Sequence, residues 1–361
     1  ACRMAKKAAK MKLAPVVVVG KHPAASLAAA TLAKRGLDVV QVATSKSAVS
    51  DRLVTLNPAL CELAGIAMPD AAEPFDTVQF LGQDDKVAQT TPAFAEDALP
   101  VVGSLRDVAQ IAAEVADEAG VQRMIGQLEV GLPDDDSGIE VRVGARTIDA
   151  GLVLASDDLP DDVAAALGVA AAAQEARQTH ERLDVVCPED APLSAALDLD
   201  DAGSWGLLLR TESQTQMTVF APAGGSASAM QAWANRLGMP LPRSLPEPEP
   251  VALAGALERD VVGRLTLLLG PAGGFVSSTG EEVYPCCHSA TYAAAVAEKA
   301  LKATHVQDAL ADYRSAWGGT LGEYLQGPQQ NMRFLLPLIY KNPVMTDRLA
   351  DALFRGRSLV R

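Results

Sequence analysis

The residues best placed for chemistry sit on one turn: Gly20, Lys21, His22, Pro23, Ala24 and Ala25 follow the apolar run Pro15 to Val19. A helical stretch from Ser26 to Gly36 and a second apolar run, Leu37 to Val42, come next. Strand, tight turn, helix and strand in that order frame a dinucleotide site. Its fingerprint, G-x-G-x-x-G, uses the first glycine for the turn, the second for approach of the pyrophosphate and the third for close helix packing. Here those places hold Gly20, His22 and Ala25, so the phosphate-facing one carries an imidazole. The acid that ends the second strand and holds the ribose hydroxyls falls at Ala43. The frame is present, and the groups that would hold the nucleotide are largely absent.

Other constellations offer less. The four histidines, His22, His180, His288 and His305, lie at no metal-ligand spacing from one another or from a cysteine. His288 directly follows Cys286 and Cys287, but helix neighbours point in different directions and make no nucleophile and base pair. The run Asp134-Asp135-Asp136 reads as a solvated hairpin turn before it reads as a cation site. No G-x-S-x-G, Walker sequence or H-E-x-x-H occurs, leaving hydrolase and nucleotide-triphosphatase chemistry without an anchor. The sequence offers no catalytic residue and no metal ligand set.

The elements that must position the turn belong to a chain of 361 residues, 49% of them hydrophobic, enough for a large core. A net charge of −14, from 31 Lys and Arg against 45 Asp and Glu, argues against nucleic-acid binding. The charge is uneven, with basic residues concentrated in the first dozen and at Arg348, Arg355, Arg357 and Arg361. Five cysteines (Cys2, Cys61, Cys187, Cys286, Cys287) without C-x-x-C spacing suggest a reducing compartment, no disulfide framework and no zinc site. No run of 18 apolar residues predicts a membrane span. The start at Ala1, small and basic without a hydrophobic signal core, suits a chain trimmed from an organelle-imported precursor, and truncation explains it nearly as well.

Along the chain the pattern predicts a short helix over Leu56 to Ile66, strand pieces such as Thr77 to Leu81, and a helix over Leu105 to Ala119. A hairpin is expected from Met124 to Val130 and Ile139 to Val143, then a strand Gly151 to Ala155 and a helix Asp161 to Leu167. Strands at Leu183 to Cys187, Trp205 to Thr211 and Gln216 to Ala221 point to a second, sheet-based domain, followed by a helix Ser228 to Leu237 and a polyproline-type connector over Pro240 to Pro250. A buried strand Arg264 to Leu269, a long helix from about Cys286 to Ala303 and a helical tail complete the chain. The expectation is an α/β fold: a Rossmann-like domain over 13–70, 100–170 and 251–305, a sheet-containing domain over 71–99 and 171–250, a basic tail 1–12 and a helical tail 306–361.

This organisation resembles the FAD-dependent oxidoreductases of the geranylgeranyl reductase and aromatic hydroxylase type. Where that family has G-D-A-A-G-F and then P-x-x-G-E-G, this chain reads Gly270-Pro271-Ala272-Gly273-Gly274-Phe275 and Ser278-Thr279-Gly280-Glu281-Glu282. Leu56 to Ile66 is similar to the family's L-N-P-x-x-L-x-x-L-G-I, and Leu154-Ala155-Ser156-Asp157-Asp158 to its strand-A-D-G element. The tail segments Tyr313 to Trp317 and Leu338 to Pro343 resemble the reductase branch. If FAD binds, the resemblance places it on Gly20, Gly270, Gly273 and Gly274.

The departures fall on the cofactor contacts. The family's ribityl-binding Asp is Pro271, with neither carboxylate nor N–H to offer. The last Gly of G-E-G is Glu282 and the Gly of A-D-G is Asp158. Substitutions at 22, 25, 43, 271 and 282 together point to lost FAD binding and to no cofactor at all. The expected function is then a non-enzymatic scaffold or assembly subunit; the alternative is an active FAD-dependent reductase acting on an isoprenoid. The resemblance further implies a chloroplast protein on the stromal side of a thylakoid photosynthetic complex. The apolar Met332 to Tyr340, followed by Arg348, Arg355, Arg357 and Arg361, reads either as a docking segment, Met332 to Arg361, toward a partner or membrane surface, or as a stretch that packs on the domain. Trp317 and Tyr324 are expected in the core rather than on a pigment.

Overall fold

A strand of four valines needs cover on both faces, and β1 (Val16–Val19) has it, with every residue fully buried. The computed structural model describes residues 14–82, 87–90, 99–132, 138–170, 180–188, 190–197, 203–326 and 337–356. β1 lies inside a six-stranded sheet in the order Val262–Gly263, Thr266–Leu268, Leu152–Ala155, β1, β2 (Val39–Ala43), Gln122–Ile125. The first two strands are antiparallel, and every other pairing is parallel, with Val16 opposite both Val39 and Leu152. Helix α1 (Pro23–Lys34) packs between the helices Leu105–Glu118 and Val283–Leu301. Its buried residues Ala24, Ala25, Ala28 and Ala29 keep it thin enough to fit. The antiparallel strands Leu128–Gly131, Ile139–Val143 and Arg146–Ala150 add Leu128, Ile139, Val141 and Val143 to the same core.

The second sheet has seven strands, in the order Glu249–Val251, His180–Cys187, Thr215–Pro222, Trp205–Arg210, Ser194–Ala196, Val78–Leu81, Val87–Thr90. Alternate residues face opposite sides. One side packs Leu208, Met217 and Val219 against Met230 and Trp233 of the helix Ser226–Leu237. The other packs Val78, Phe80 and Leu209 against Leu349, Leu353 and Phe354 of the helix Pro343–Arg355. The strand β3 (Leu53–Leu56), paired with Val101–Ser104, ties the sheets together. The Gln216 side chain accepts from the Leu53 N–H at 2.7 Å and donates to its carbonyl at 3.2 Å.

The structure bears out the Rossmann-like sheet with added sheets and C-terminal helices, and differs from the sequence reading locally. Met124 to Val130 is not one hairpin strand. Gln122–Ile125 joins the parallel sheet beside β2, and the chain turns away at Gly126, whose N–H binds the Ala43 carbonyl at 3.0 Å. Only Leu128–Gly131 then pairs with Ile139–Val143, and the acidic turn at 134–136 lies outside the described residues. The end of the proline-rich connector, Glu249–Val251, is an edge strand, the one place in a sheet that tolerates Pro250. Of the proposed docking segment, 332–336 and 357–361 lie outside the described residues; within Pro343–Arg355 the apolar face lies on the chain's own sheet, while Leu338 and Val344 stay exposed. Trp317 is buried edge-on against Phe275, and Tyr324 packs on Tyr284, as expected of core residues. No helix among the described residues is long and apolar enough to cross a membrane.

Candidate functional site

In a doubly wound sheet, ligands bind where strand order reverses, at the carboxyl ends of the strands. Here that point lies between β1 and Leu152–Ala155, so Gly20 to His22 face Ser156 to Asp158. Gly20 has φ +131°, a conformation that favours glycine, and a Cβ there would sit 2.1 Å from an Asp157 carboxylate oxygen. That carboxylate accepts the Lys21 N–H at 3.0 and 3.1 Å and the His22 N–H at 3.0 Å. His22 caps α1, its Nδ1 accepting the Ala24 N–H at 3.1 Å. Pro23 has no N–H, and that of Ala25 binds the His22 carbonyl. From Lys21 to Ala25 every backbone donor is therefore taken by the chain itself. A pyrophosphate would find none open.

The remaining glycines proposed for the cofactor serve self-packing as well. A Cβ on Gly270 would meet the Ser156 hydroxyl at 2.3 Å, and one on Gly274 the Ala256 nitrogen at 2.7 Å. Gly273 abuts Phe275, its Cβ position 2.7 Å from the ring. Asp158, in the place of a family glycine, keeps the left-handed conformation at φ 59° and accepts the Thr44 N–H at 2.8 Å.

Glu282 anchors a buried ionic clasp. It precedes the helix Val283–Leu301 and is 4% exposed. One oxygen pairs with Arg52 and lies 3.5 Å from His22 Nε2, and the other accepts from Arg182 at 3.0 Å. Arg182 also binds Asp184 at 3.0 Å and pairs with Glu249. Burial alone would raise the Glu282 carboxyl, but Arg52, His22 and Arg182 hold it well below the usual carboxylate range. Burial also pushes Asp157 up, against the opposing pull of His22 and the two N–H bonds. Next to the clasp, Glu281 is pushed up to about 8 by burial, although it accepts from Tyr284 N–H and the Tyr324 hydroxyl. Charges so arranged lock elements together. None of them is a nucleophile beside a base.

The structure brings Gly20, His22, Ala43, Pro271 and Glu282 to the walls of two neighbouring cavities. The inner one, about 300 Å³, lies between His22, Asp157, Pro271 and Glu282; the outer one, about 350 Å³, lies along the ends of β1 and β2. Gly273 and Gly274 line neither. Beneath the second sheet, a third space of about 30 Å³ between Arg52, Phe220, Leu353 and Phe354 has room for little more than a water. The thiols Cys61, Cys286 and Cys287 are buried and pushed far up by that burial, which keeps them protonated and unreactive. His288 Nδ1 lies 2.9 Å from the Tyr284 hydroxyl. Among the described residues no group of three or more acidic, Cys or His side chains suits a metal ion.

Sequence reasoning missed Asp157, Arg52 and Arg182. Asp157 stood inside a recognised motif, Leu154 to Asp158, and that membership was the signal that could have found it. The arginines stand 230 and 100 residues from Glu282 and carry no local pattern.

By sequence, no family model and no curated protein matches this chain. By structure it is similar to a geranylgeranyl bacteriochlorophyll reductase-like protein from Thermoplasma acidophilum, with TM-score 0.68, 14% identity, and 85% of this chain and 83% of that one covered. A flavin-dependent brominase matches with TM-score 0.63 at 14% identity over 95% and 92% of the two chains. A probable FAD-dependent monooxygenase from Pseudomonas aeruginosa matches with TM-score 0.63 at 16% identity over 88% and 96%. The chain thus has the fold of FAD-dependent oxidoreductases.

Proposed function

We propose that this chain is a flavoprotein-type fold that works without FAD, as a scaffold or assembly subunit of a larger complex. The observation that carries the reading is the occupation of the anion-binding turn by Asp157 and the His22 cap. In this fold class the chemistry belongs to the flavin and the protein positions it. Among the described residues of the site, no nucleophile stands beside a base to supply a reaction in its place. The alternative, an FAD-dependent reductase acting on an isoprenoid, draws on the fold likeness and on the two cavities at the strand ends. Absorbance of the purified full chain separates the two. No flavin band is expected, nor any saturable quenching when FAD is titrated with the protein; a stoichiometric flavin spectrum would sink the scaffold reading.

Attachment to a photosynthetic membrane complex in the chloroplast rests on the reductase-branch resemblance of the tail. Deleting the tail would strip the second sheet of its cover, so exposed positions make the better probe. Leu338→Glu and Val344→Glu together, at side chains 48% and 59% exposed, should leave the fold intact and release the chain from thylakoid membranes. Unchanged co-fractionation of that variant would count against docking through this segment.

A further inference from the structure

The exposed apolar side chains of the C-terminal segment stand beside cations that the rest of the fold does not use. A helical turn over 337–339 leads into the helix Pro343–Arg355, and two side chains pin that turn to the second sheet. Ile339, 2% exposed, joins the cluster of Val78, Phe80 and Leu353, and the Tyr340 ring lies on Gly82, 2.5 Å from where a Cβ would stand. Leu338 and Lys341, on either side of that pair, are exposed. Asn342 then caps the helix, its Oδ1 accepting the Val344 N–H at 3.0 Å, and Val344 stays outside on the first turn. The neighbouring strand Val87–Thr90 is the last of its sheet; it pairs Val87 with Leu81, beside Gly82, and bonds Thr90 to Asp347. Val87 is 57% exposed. Leu338, Val344 and Val87 therefore share one edge of the second sheet, held there by buried neighbours.

The charges along this edge are unevenly used. Both acids of the helix are engaged, Asp347 by the Thr90 hydroxyl and Asp351 by Arg355 at 3.3 Å. Lys341 and Arg348 are exposed, and neither side chain makes a hydrogen bond or ion pair with any described residue. In a chain of net charge −14, free cations flanking exposed aliphatic groups are a local reversal. Protein interfaces deplete lysine and draw their binding energy from Trp, Tyr and Arg more than from Leu and Val. A bilayer surface, by contrast, takes aliphatic side chains below its headgroups and cations among them. At physiological salt, charge is screened beyond about 8 Å, so the acids elsewhere on the chain do not cancel the pull of cations in contact with the headgroups.

We infer that this edge binds an anionic lipid surface directly, with Leu338 and Val344 below the headgroups, Lys341 and Arg348 among them, and Val87 alongside. The inference rests on docking through this segment and names lipid, not a protein subunit, as what the segment meets. Each cation strengthens such a contact about fivefold. With two aliphatic side chains added, the contact is reversible and salt-sensitive rather than an anchor.

Co-sedimentation of the full chain with vesicles tests it, using phosphatidylcholine alone and an equal mixture of phosphatidylcholine and phosphatidylglycerol. Binding is expected to the mixed vesicles, to exceed that to phosphatidylcholine, and to fall as salt is raised. Lys341→Gln with Arg348→Gln should weaken it about 25-fold, the loss of two headgroup charges. Leu338→Ser with Val344→Ser should weaken it about tenfold at any salt concentration. Circular dichroism confirms that the variants are folded. No binding to the mixed vesicles overturns the inference, as does equal binding to both kinds or binding that the cation variant leaves unaltered. If Leu338→Glu with Val344→Glu releases the chain from thylakoid membranes while wild type ignores the vesicles, docking through the segment stands and its partner is a protein. That outcome overturns the lipid inference alone.

Discussion

Glu282→Ala is expected to cost about 3–5 kcal/mol of stability, because it leaves the buried guanidiniums of Arg52 and Arg182 without their shared carboxylate. For a chain of this length that corresponds to a fall of about 4–7 °C in melting temperature. Arg52 is 8% exposed, so water cannot replace the lost partner. Asp184 and Glu249 still face Arg182, and Arg52 bears the larger share of the loss. Glu282→Gln keeps the shape and loses the charge, and should fall between wild type and Glu282→Ala. The exposed pair Arg106 and Asp51 is the control: its removal should change stability by less than about 1 kcal/mol. The pH dependence has a definite sign. Because the folded-state carboxyl titrates below its unfolded value, the clasp contributes fully above the usual carboxylate range and fades as acid protonates it. Denaturant unfolding of the two variants and the control decides the matter; an Ala variant as stable as wild type would remove the clasp from any account of the fold.

Glu281→Gln should act in the opposite direction and in a different pH window. The folded chain holds the Glu281 proton up to about pH 8, against an ordinary glutamate value of 4.5. Between those values the unfolded chain releases the proton first, so stability falls as pH rises, and it levels off once both states are ionised. The fall attributable to this one group is at most about 5 kcal/mol. A glutamine amide accepts from Tyr284 N–H through its carbonyl, and its NH2 group, standing where the carboxyl oxygen accepts the Tyr324 hydroxyl, donates to the Tyr324 oxygen once that hydroxyl hydrogen turns away. Wild type and variant should therefore melt together near pH 4 and separate above pH 8, with the variant the more stable. A difference that does not change with pH would show that Glu281 ionises normally.

The strand-turn-helix at Gly20 was legible because it is local: four valines, a glycine and an alanine-rich helix announce themselves within twenty residues. The late Gly270 turn and the strands of the second sheet were legible for the same reason. Gln122–Ile125 was not, because its place beside β2 is decided by pairing with Val40 to Ala43 and not by its own alternation. The sequence also marked Glu282 and His22 as departures from a nucleotide-binding pattern, yet it held no sign that the two lie 3.5 Å apart. Arg52 arrives from the lead-in to β3 and Arg182 from the second sheet. Only the folded chain brings these charges into one place, and only there does a change that looked like damage acquire a structural purpose.

A fold stabilised by a bound molecule is as stable as the supply of that molecule allows. The Asp157 carboxylate at the turn after β1 comes from the chain itself, at an effective concentration set by the folded geometry and by nothing in the surrounding solution. The turn is therefore complete as soon as β1 and Leu152–Ala155 are paired. The Lys21 and His22 N–H groups then have their acceptor within the folded chain itself.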